Sequence, residues 1–112
     1  MSRSLQSTTS PKSSALLFAA LGEETRLRIV FRLCDGPMSI SKLTTGSRIS
    51  RQAITKHLRV LEEAHLVHST RRGRERILQL DRRRLEDARC YLDMISKQWD
   101  SALGRLRDFV EK

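Results

Sequence analysis

The sequence predicts a mainly α-helical domain of about five helices carrying one small β-hairpin. Apolar residues recur at helical spacing along most of the chain. Glycine and proline clusters cut that pattern into separate segments. Around Arg71-Arg72-Gly73-Arg74 the pattern changes to two short runs suited to strands, joined by a glycine-containing connection.

Residues 1–13 (MSRSLQSTTSPKS) are rich in Ser and Thr, too polar to offset their ordering entropy, and are expected to form a loose tail ahead of a single domain over residues 14–112. From Ser14 the chain turns apolar until Gly22, whose freedom at positive φ suits a helix end. A second helix is expected from Glu23 to Leu33. Two glutamates sit at its positive end, and Leu27, Val30, Phe31 and Cys34 form a stripe expected to face the core, before Asp35-Gly36-Pro37 ends it. A short third helix follows at Ser41 to Thr45, then a break at Gly46-Ser47-Arg48, then a fourth helix with Ser50 as N-cap, running to about Ala64. Two helices joined by a short turn make a helix-turn-helix candidate.

The strands Leu66 to Thr70 and Glu75 to Leu80 then flank the arginine-rich connection, so the architecture is a winged helix-turn-helix with a two- to three-stranded wing. From Asp81 onward Leu85, Ala88, Leu92, Ile95, Trp99, Ala102, Leu106 and Phe109 alternate in steps of three and four, with Leu103 and Val110 beside them. A period of 3.5 residues over about four heptads is what a helix needs to pack along a partner helix. A homodimer is therefore expected, with Leu17, Leu92, Ile95, Trp99, Ala102 and Leu106 at its interface; a core helix within one chain is the alternative.

Bulk properties narrow the partner. The chain has 112 residues, enough for one domain, and 22 Lys and Arg against 13 Asp and Glu give +9 with only 4% aromatic residues. Stacked single-stranded bases are thus a poor ligand and a phosphate backbone a good one. The charge is uneven: residues 48–76 carry eight basic and three acidic side chains, residues 81–112 eight and seven. No run approaches the roughly 18 apolar residues of a membrane span and no apolar signal core opens the chain, so a cytoplasmic protein without membrane contact is expected. Two cysteines are too few for a disulfide framework. Neither paired carboxylates, a Gly-rich phosphate loop nor a nucleophilic triad is present in a supporting context, so no enzyme is expected.

On a helical wheel of the fourth helix, Ile54, Leu58 and Leu61 fall on one side and Gln52, Thr55, Lys56, Arg59 and Glu63 on the other. Gln can pair with adenine, Arg or Lys with guanine, and a Thr methyl can meet the thymine methyl. Gln52, Thr55 and Lys56 are therefore the expected base readers of double-stranded DNA, with Ser50 and Arg51 at the helix N-terminus and Arg59 further along on phosphates. Arg71, Arg72 and Arg74, with Arg76 just after, suit a minor groove or its phosphates.

The stretches LGEETRLRIVFRL, SRQAITKHLRVLEEAHLV and GRERILQLD resemble the ArsR-type winged-helix repressors in order and spacing, over about Ala15 to Phe109. The resemblance implies a symmetric dimer joined through the first and last helices, with two recognition helices in successive major grooves of a near-palindromic operator. Relatives that sense metals use a Cys-x-Cys pair where MSISKL has Ser39 and Ser41, or Asp and His on the last helix, whereas His57, His65 and His68 all precede it. With no tetrahedral ligand set, no metal and no cofactor are expected. Trp99 and the tail GRLRDFVEK resemble a branch of the family without metal ligands. His65 stands where the family usually has Gly, and His57 follows the family pattern as a packing or phosphate-contacting residue. Some relatives sense oxidants or reactive sulfur through cysteines on the second and fifth helices, where Cys34 and Cys90 lie, so a thiol-responsive repressor is one alternative. A winged-helix adaptor that binds an acidic protein is another.

Overall fold

The computed structural model describes residues 10–111. Five helices and three strands follow in the order α1 (Pro11–Leu21), α2 (Glu24–Leu33), β1 (Met38–Ser39), α3 (Ile40–Thr44), α4 (Arg51–Glu63), β2 (Val67–Arg72), β3 (Glu75–Leu80) and α5 (Arg82–Glu111). The strands form one antiparallel sheet in the order β1-β3-β2, with Val67 opposite Leu80 and Arg72 opposite Glu75. This is the expected winged helix-turn-helix.

The helix ends follow from local chemistry. Ser10, Ser39 and Ser50 each accept a hydrogen bond from the backbone N–H three residues on, and the Glu23 carboxylate does the same for Arg26, so four helices have a side-chain N-cap. Helix α1 starts at Pro11, three residues before the expected boundary, because Ser10 caps it and proline, lacking an N–H, loses nothing in the first turn. The expected loose tail thus does not extend over Pro11–Ser13; its residues 1–9 lie outside the described residues. Helix α4 ends with His65 at φ +63°, its N–H donating to Glu62 while the N–H of Leu66 reaches back to Leu61. That is a Schellman cap built on histidine where glycine costs least.

Leu17, Leu58, Leu61, Leu66 and Leu78 are fully buried at the centre, joined by Ile29, Val30, Leu33, Ile40, Leu43 and Ile54. On α4 the division is as expected, with Ile54, Leu58 and Leu61 inward. On α2 it is not. Its core face is Ile29, Val30 and Leu33, while Leu27, Phe31 and Cys34 are exposed. The helix carries two overlapping apolar stripes that share Val30, and only packing against α4 and β3 selects between them. Leu17 is also corrected: it is wholly buried within the protomer, so its side chain is not available to a partner.

Only the first turns of α5 pack on the body, through Arg84, Leu85 and Ala88 and through Tyr91, whose ring lies 6.0 Å from that of Phe18 on α1. From Leu92 outward nearly every side chain is exposed, and the molecule measures 67 × 34 × 23 Å. No helix is long and apolar enough to cross a membrane among the described residues.

Candidate nucleic-acid interface

Helix α4 is held from behind. Its inward residues fill the core, and half-buried His57 places Nδ1 3.3 Å from Arg26 Nη1 and 3.7 Å from the Glu23 carboxylate at the start of α2. The N–H of Arg26 chiefly, then that of Thr25 and the nearby His57 and Arg26 side chains, hold the Glu23 carboxyl below the usual carboxylate range although burial acts the other way. Arg26 also donates to the carbonyls of Ala20 (2.8 Å) and Ala19 (3.4 Å), which closes the end of α1. Helix α3 is fixed in the same way by Arg32, whose guanidinium donates to Leu43 O at 2.9 Å and Lys42 O at 3.3 Å. Arg26 and Arg32 thus position the two helices of the helix-turn-helix. No sequence signal singles out either residue, since their partners are backbone carbonyls and a histidine on other elements.

The outer face of α4 brings Arg51, Gln52, Thr55, Lys56 and Arg59 around one shallow depression. Gln52, Lys56 and Arg59 are exposed. The Thr55 hydroxyl donates back to Arg51 O at 2.9 Å, which leaves its methyl group to offer for apolar contact. The Ser50 hydroxyl is engaged as the N-cap acceptor, and Arg51 Nη1 lies 3.4 Å from Ser41 Oγ. Five of the six α4 residues expected at an interface therefore share one surface, with Ser50 serving the helix end beside it.

The wing is tighter than expected. Strand β2 runs to Arg72, so Arg71 and Arg72 are strand residues, and the turn is only Gly73-Arg74 with Gly73 at φ +63°. Arg71, Arg72 and Arg74 are exposed, and no ion pair among the described residues engages them. Arg76 is different: one of its nitrogens meets both Glu62 oxygens at 2.9 Å, which pins the wing to α4. The arrangement offers a polar helix face and a basic hairpin in which Arg71, Arg72 and Arg74 form no ion pair among the described residues.

Comparison with known proteins decides the family. A model described as "Bacterial regulatory protein, arsR family" matches residues 23–69. The HTH-type transcriptional regulator Rv2034 of Mycobacterium tuberculosis is 39% identical over 92 residues, covering 82% of this chain and 83% of the relative. The chain belongs to the ArsR family. An ArsR-like transcriptional regulator from Rhodococcus sp. RHA1 superposes with a TM-score of 0.79 at 36% identity, over 88% of this chain and 92% of that one. The homodimeric winged helix-turn-helix DNA-binding domain of Mb0332 from Mycobacterium bovis shares the fold at 20% identity, with a TM-score of 0.61 and 84% of each chain covered. The protein is thus an ArsR-family transcriptional regulator with a winged helix-turn-helix DNA-binding fold.

In this ArsR-family chain the serines at the thiolate positions have work of their own. Ser39 caps α3, its hydroxyl accepting from Lys42 N at 3.1 Å, and the Ser41 hydroxyl accepts from Arg51 Nη1 at 3.4 Å. No group of three or more His, Cys, Asp or Glu side chains able to hold a metal occurs among the described residues. Both cysteines are free thiols, Cys34 exposed and Cys90 half-covered. Partial burial pushes the Cys90 thiol up, and the carboxylates of Glu86, Asp93 and Asp87 push the same way. His68 does more than fill a strand: its Nε2 lies 2.7 Å from Asp81 Oδ2 at the β3–α5 junction.

Proposed function

We propose that the protein binds double-stranded DNA as a homodimer and represses transcription at a near-palindromic operator. The observation that carries this reading is the shared face of Gln52, Thr55, Lys56 and Arg59 beside a wing whose exposed Arg71, Arg72 and Arg74 form no ion pair among the described residues. Gln52, Thr55 and Lys56, near the N-terminus of α4, meet base edges in the major groove. Ser50, Arg51 and the first N–H groups of α4 hold a phosphate at its mouth, and Arg59 grips the backbone further along. The wing arginines reach the flanking minor groove or its phosphates.

Pairing follows the free length of α5, where Leu92, Ile95, Trp99 and Leu106 are exposed and Ala102 half-exposed along one line. Association of two α5 helices buries that line, and a two-fold dimer that reads successive major grooves holds its two copies of α4 about one DNA turn apart, roughly 34 Å. The homodimeric state of the Mb0332 domain, a fold relative, supports a homodimer. Repression then follows from occupancy: the dimer covers sequence that polymerase needs. The protein does this without metal or cofactor.

Selection of bound fragments from a random double-stranded DNA pool at near-physiological salt tests the proposal. Enrichment of a two-fold symmetric motif is the expected result. A pool that stays random after repeated rounds would overturn it and assign the basic face to an acidic protein partner.

A further inference from the structure

The wing leaves the body of the domain halfway along its length. At its base β3 lies between β1 and β2, Val67 and Leu78 are buried, and the N–H of Asp81 donates to Leu66 O at 2.8 Å. Beyond the pair of Thr70 and Ile77, β1 no longer lies alongside and no side chain is buried. What remains, residues 71–76, is a two-stranded ribbon, and a lone hairpin of that kind is barely stable by itself and twists readily. It nonetheless carries Arg71, Arg72 and Arg74, the charges that DNA binding needs in a fixed place.

One contact holds this ribbon. Arg76 Nη2 lies 2.9 Å from both carboxylate oxygens of Glu62, which follows Arg59 by one turn of α4. Among the described residues it is the one side-chain hydrogen bond or ion pair that joins residues 69–76 to the rest of the domain. Both side chains are partly covered, with 25% of Glu62 and 38% of Arg76 exposed, so salt screens this pair less than ions that stand free in solvent. The carboxylate has a second effect. Arg71 sits directly opposite Arg76, and like charges so placed repel. Glu62 offsets the charge of Arg76 and so lowers the cost of holding exposed Arg71 beside it. The charge of Arg76, which the sequence groups with the DNA contacts of the wing, is thus engaged inside the fold.

We propose that Glu62 and Arg76 are positioning residues for DNA recognition: without touching DNA, the pair holds the wing at a fixed angle to α4. The wing arginines and Gln52, Thr55 and Lys56 then engage one operator half-site as a single rigid unit. The inference rests on the DNA binding proposed above and adds to it how the two contacting elements are kept in register. A wing fixed in advance loses less conformational freedom on binding than one that must be ordered by the DNA. The sign of the effect separates this role from simple charge. A carboxylate beside a DNA-binding surface repels phosphates, so its removal alone strengthens binding to every sequence. Loss of the brace instead weakens binding to the operator, the sequence that engages both elements at once.

Glu62→Gln, which keeps the size of the side chain and removes its charge, tests this. Wild type and variant are titrated, at one salt concentration, with the motif enriched from a random duplex pool and with random duplex. The operator-to-random affinity ratio should fall about fivefold or more through weaker binding to the operator, while binding to random duplex stays level or rises. Arg76→Lys should keep the ratio within about twofold of wild type, because a single nitrogen makes both contacts and an ammonium can replace it. Arg76→Gln should lower the ratio as Glu62→Gln does. In the DNA-free protein, backbone amide relaxation should show a loss of order at residues 71–76 of Glu62→Gln and none in α4. An unchanged ratio, or a wing as ordered as in wild type, overturns the positioning role and leaves the DNA binding standing. So does an Arg76→Lys as damaging as Arg76→Gln, which would put the guanidinium on the DNA. Failure of the wild type to enrich any motif overturns both.

Discussion

Arg84 is almost fully buried, and it joins three helices: Nε donates to Ala64 O and Nη2 to Ser13 O, each at 2.8 Å, while Nη1 lies 3.4 Å from Asp87. Arg84→Met should cost about 2–4 kcal/mol in urea unfolding, because one buried and one partly buried carbonyl lose charged donors; a loss below about 1 kcal/mol would contradict this role. In the sequence Arg82-Arg83-Arg84 is a run of like charges, and only the phase of α5 against α1 determines which one turns inward. Asp81 shows the opposite balance. Burial raises its carboxyl, but hydrogen bonds from His68 and from the N–H groups of Arg83 and Arg84 outweigh that and hold it below the usual range. A depressed folded value means the stabilisation is present above the unfolded value and is lost as pH falls through the folded one. The stability difference between wild type and Asp81→Asn should therefore shrink below about pH 4; a difference that grows on acidification would refute this. The Cys90 thiol, pushed up by burial and three carboxylates, should alkylate slowly at neutral pH and speed up only above the ordinary thiol range. At the wing, Arg72→Ala should weaken binding to operator and random DNA about equally and flatten the salt dependence; a selective loss on the operator would make Arg72 a base reader.

Some segments were readable in the sequence and others were not, for physical reasons. Helix α4 declares itself through a serine cap, a single apolar stripe and a polar opposite face, and each of these appears in the structure. Strand β1 could not be read, because two residues carry no period and Met38–Ser39 is a strand only by pairing with Leu78 and Ile77 of β3. The two faces of α2 could not be ranked because both are apolar, and the one expected in the core is the one left outside. The expected wing strand ends two residues short, at Thr70, since polar arginines extend a hairpin only where the partner strand continues opposite them. The positive φ of His65 was foreseeable from its place just after α4. His65→Gly should stabilise the fold by about 0.5–1 kcal/mol, read as a rise in unfolding midpoint, because glycine adopts this geometry without a Cβ penalty. A drop in stability would mean the imidazole makes a contact that outweighs the strain.

In the whole molecule, the body is a complete core with a helix extending well beyond it. The 3.5-residue spacing of α5 anticipated this, and the structure adds that Ala88 serves its own protomer's core while the line from Leu92 outward faces solvent. Trp99 is 63% exposed within the protomer, so Trp99→Asp should fold normally and yet sediment as a monomer. A variant that remains dimeric would move the interface away from α5. The face of α4 is a separate matter, and its chemistry is open to direct reading. The decisive measurement is the base preference of Gln52→Ala beside that of the wild type, each selected from the same random duplex pool. Loss of preference at one symmetric pair of positions, within a motif otherwise unchanged, is the predicted result. Identical preferences at every position would contradict recognition by this face of α4.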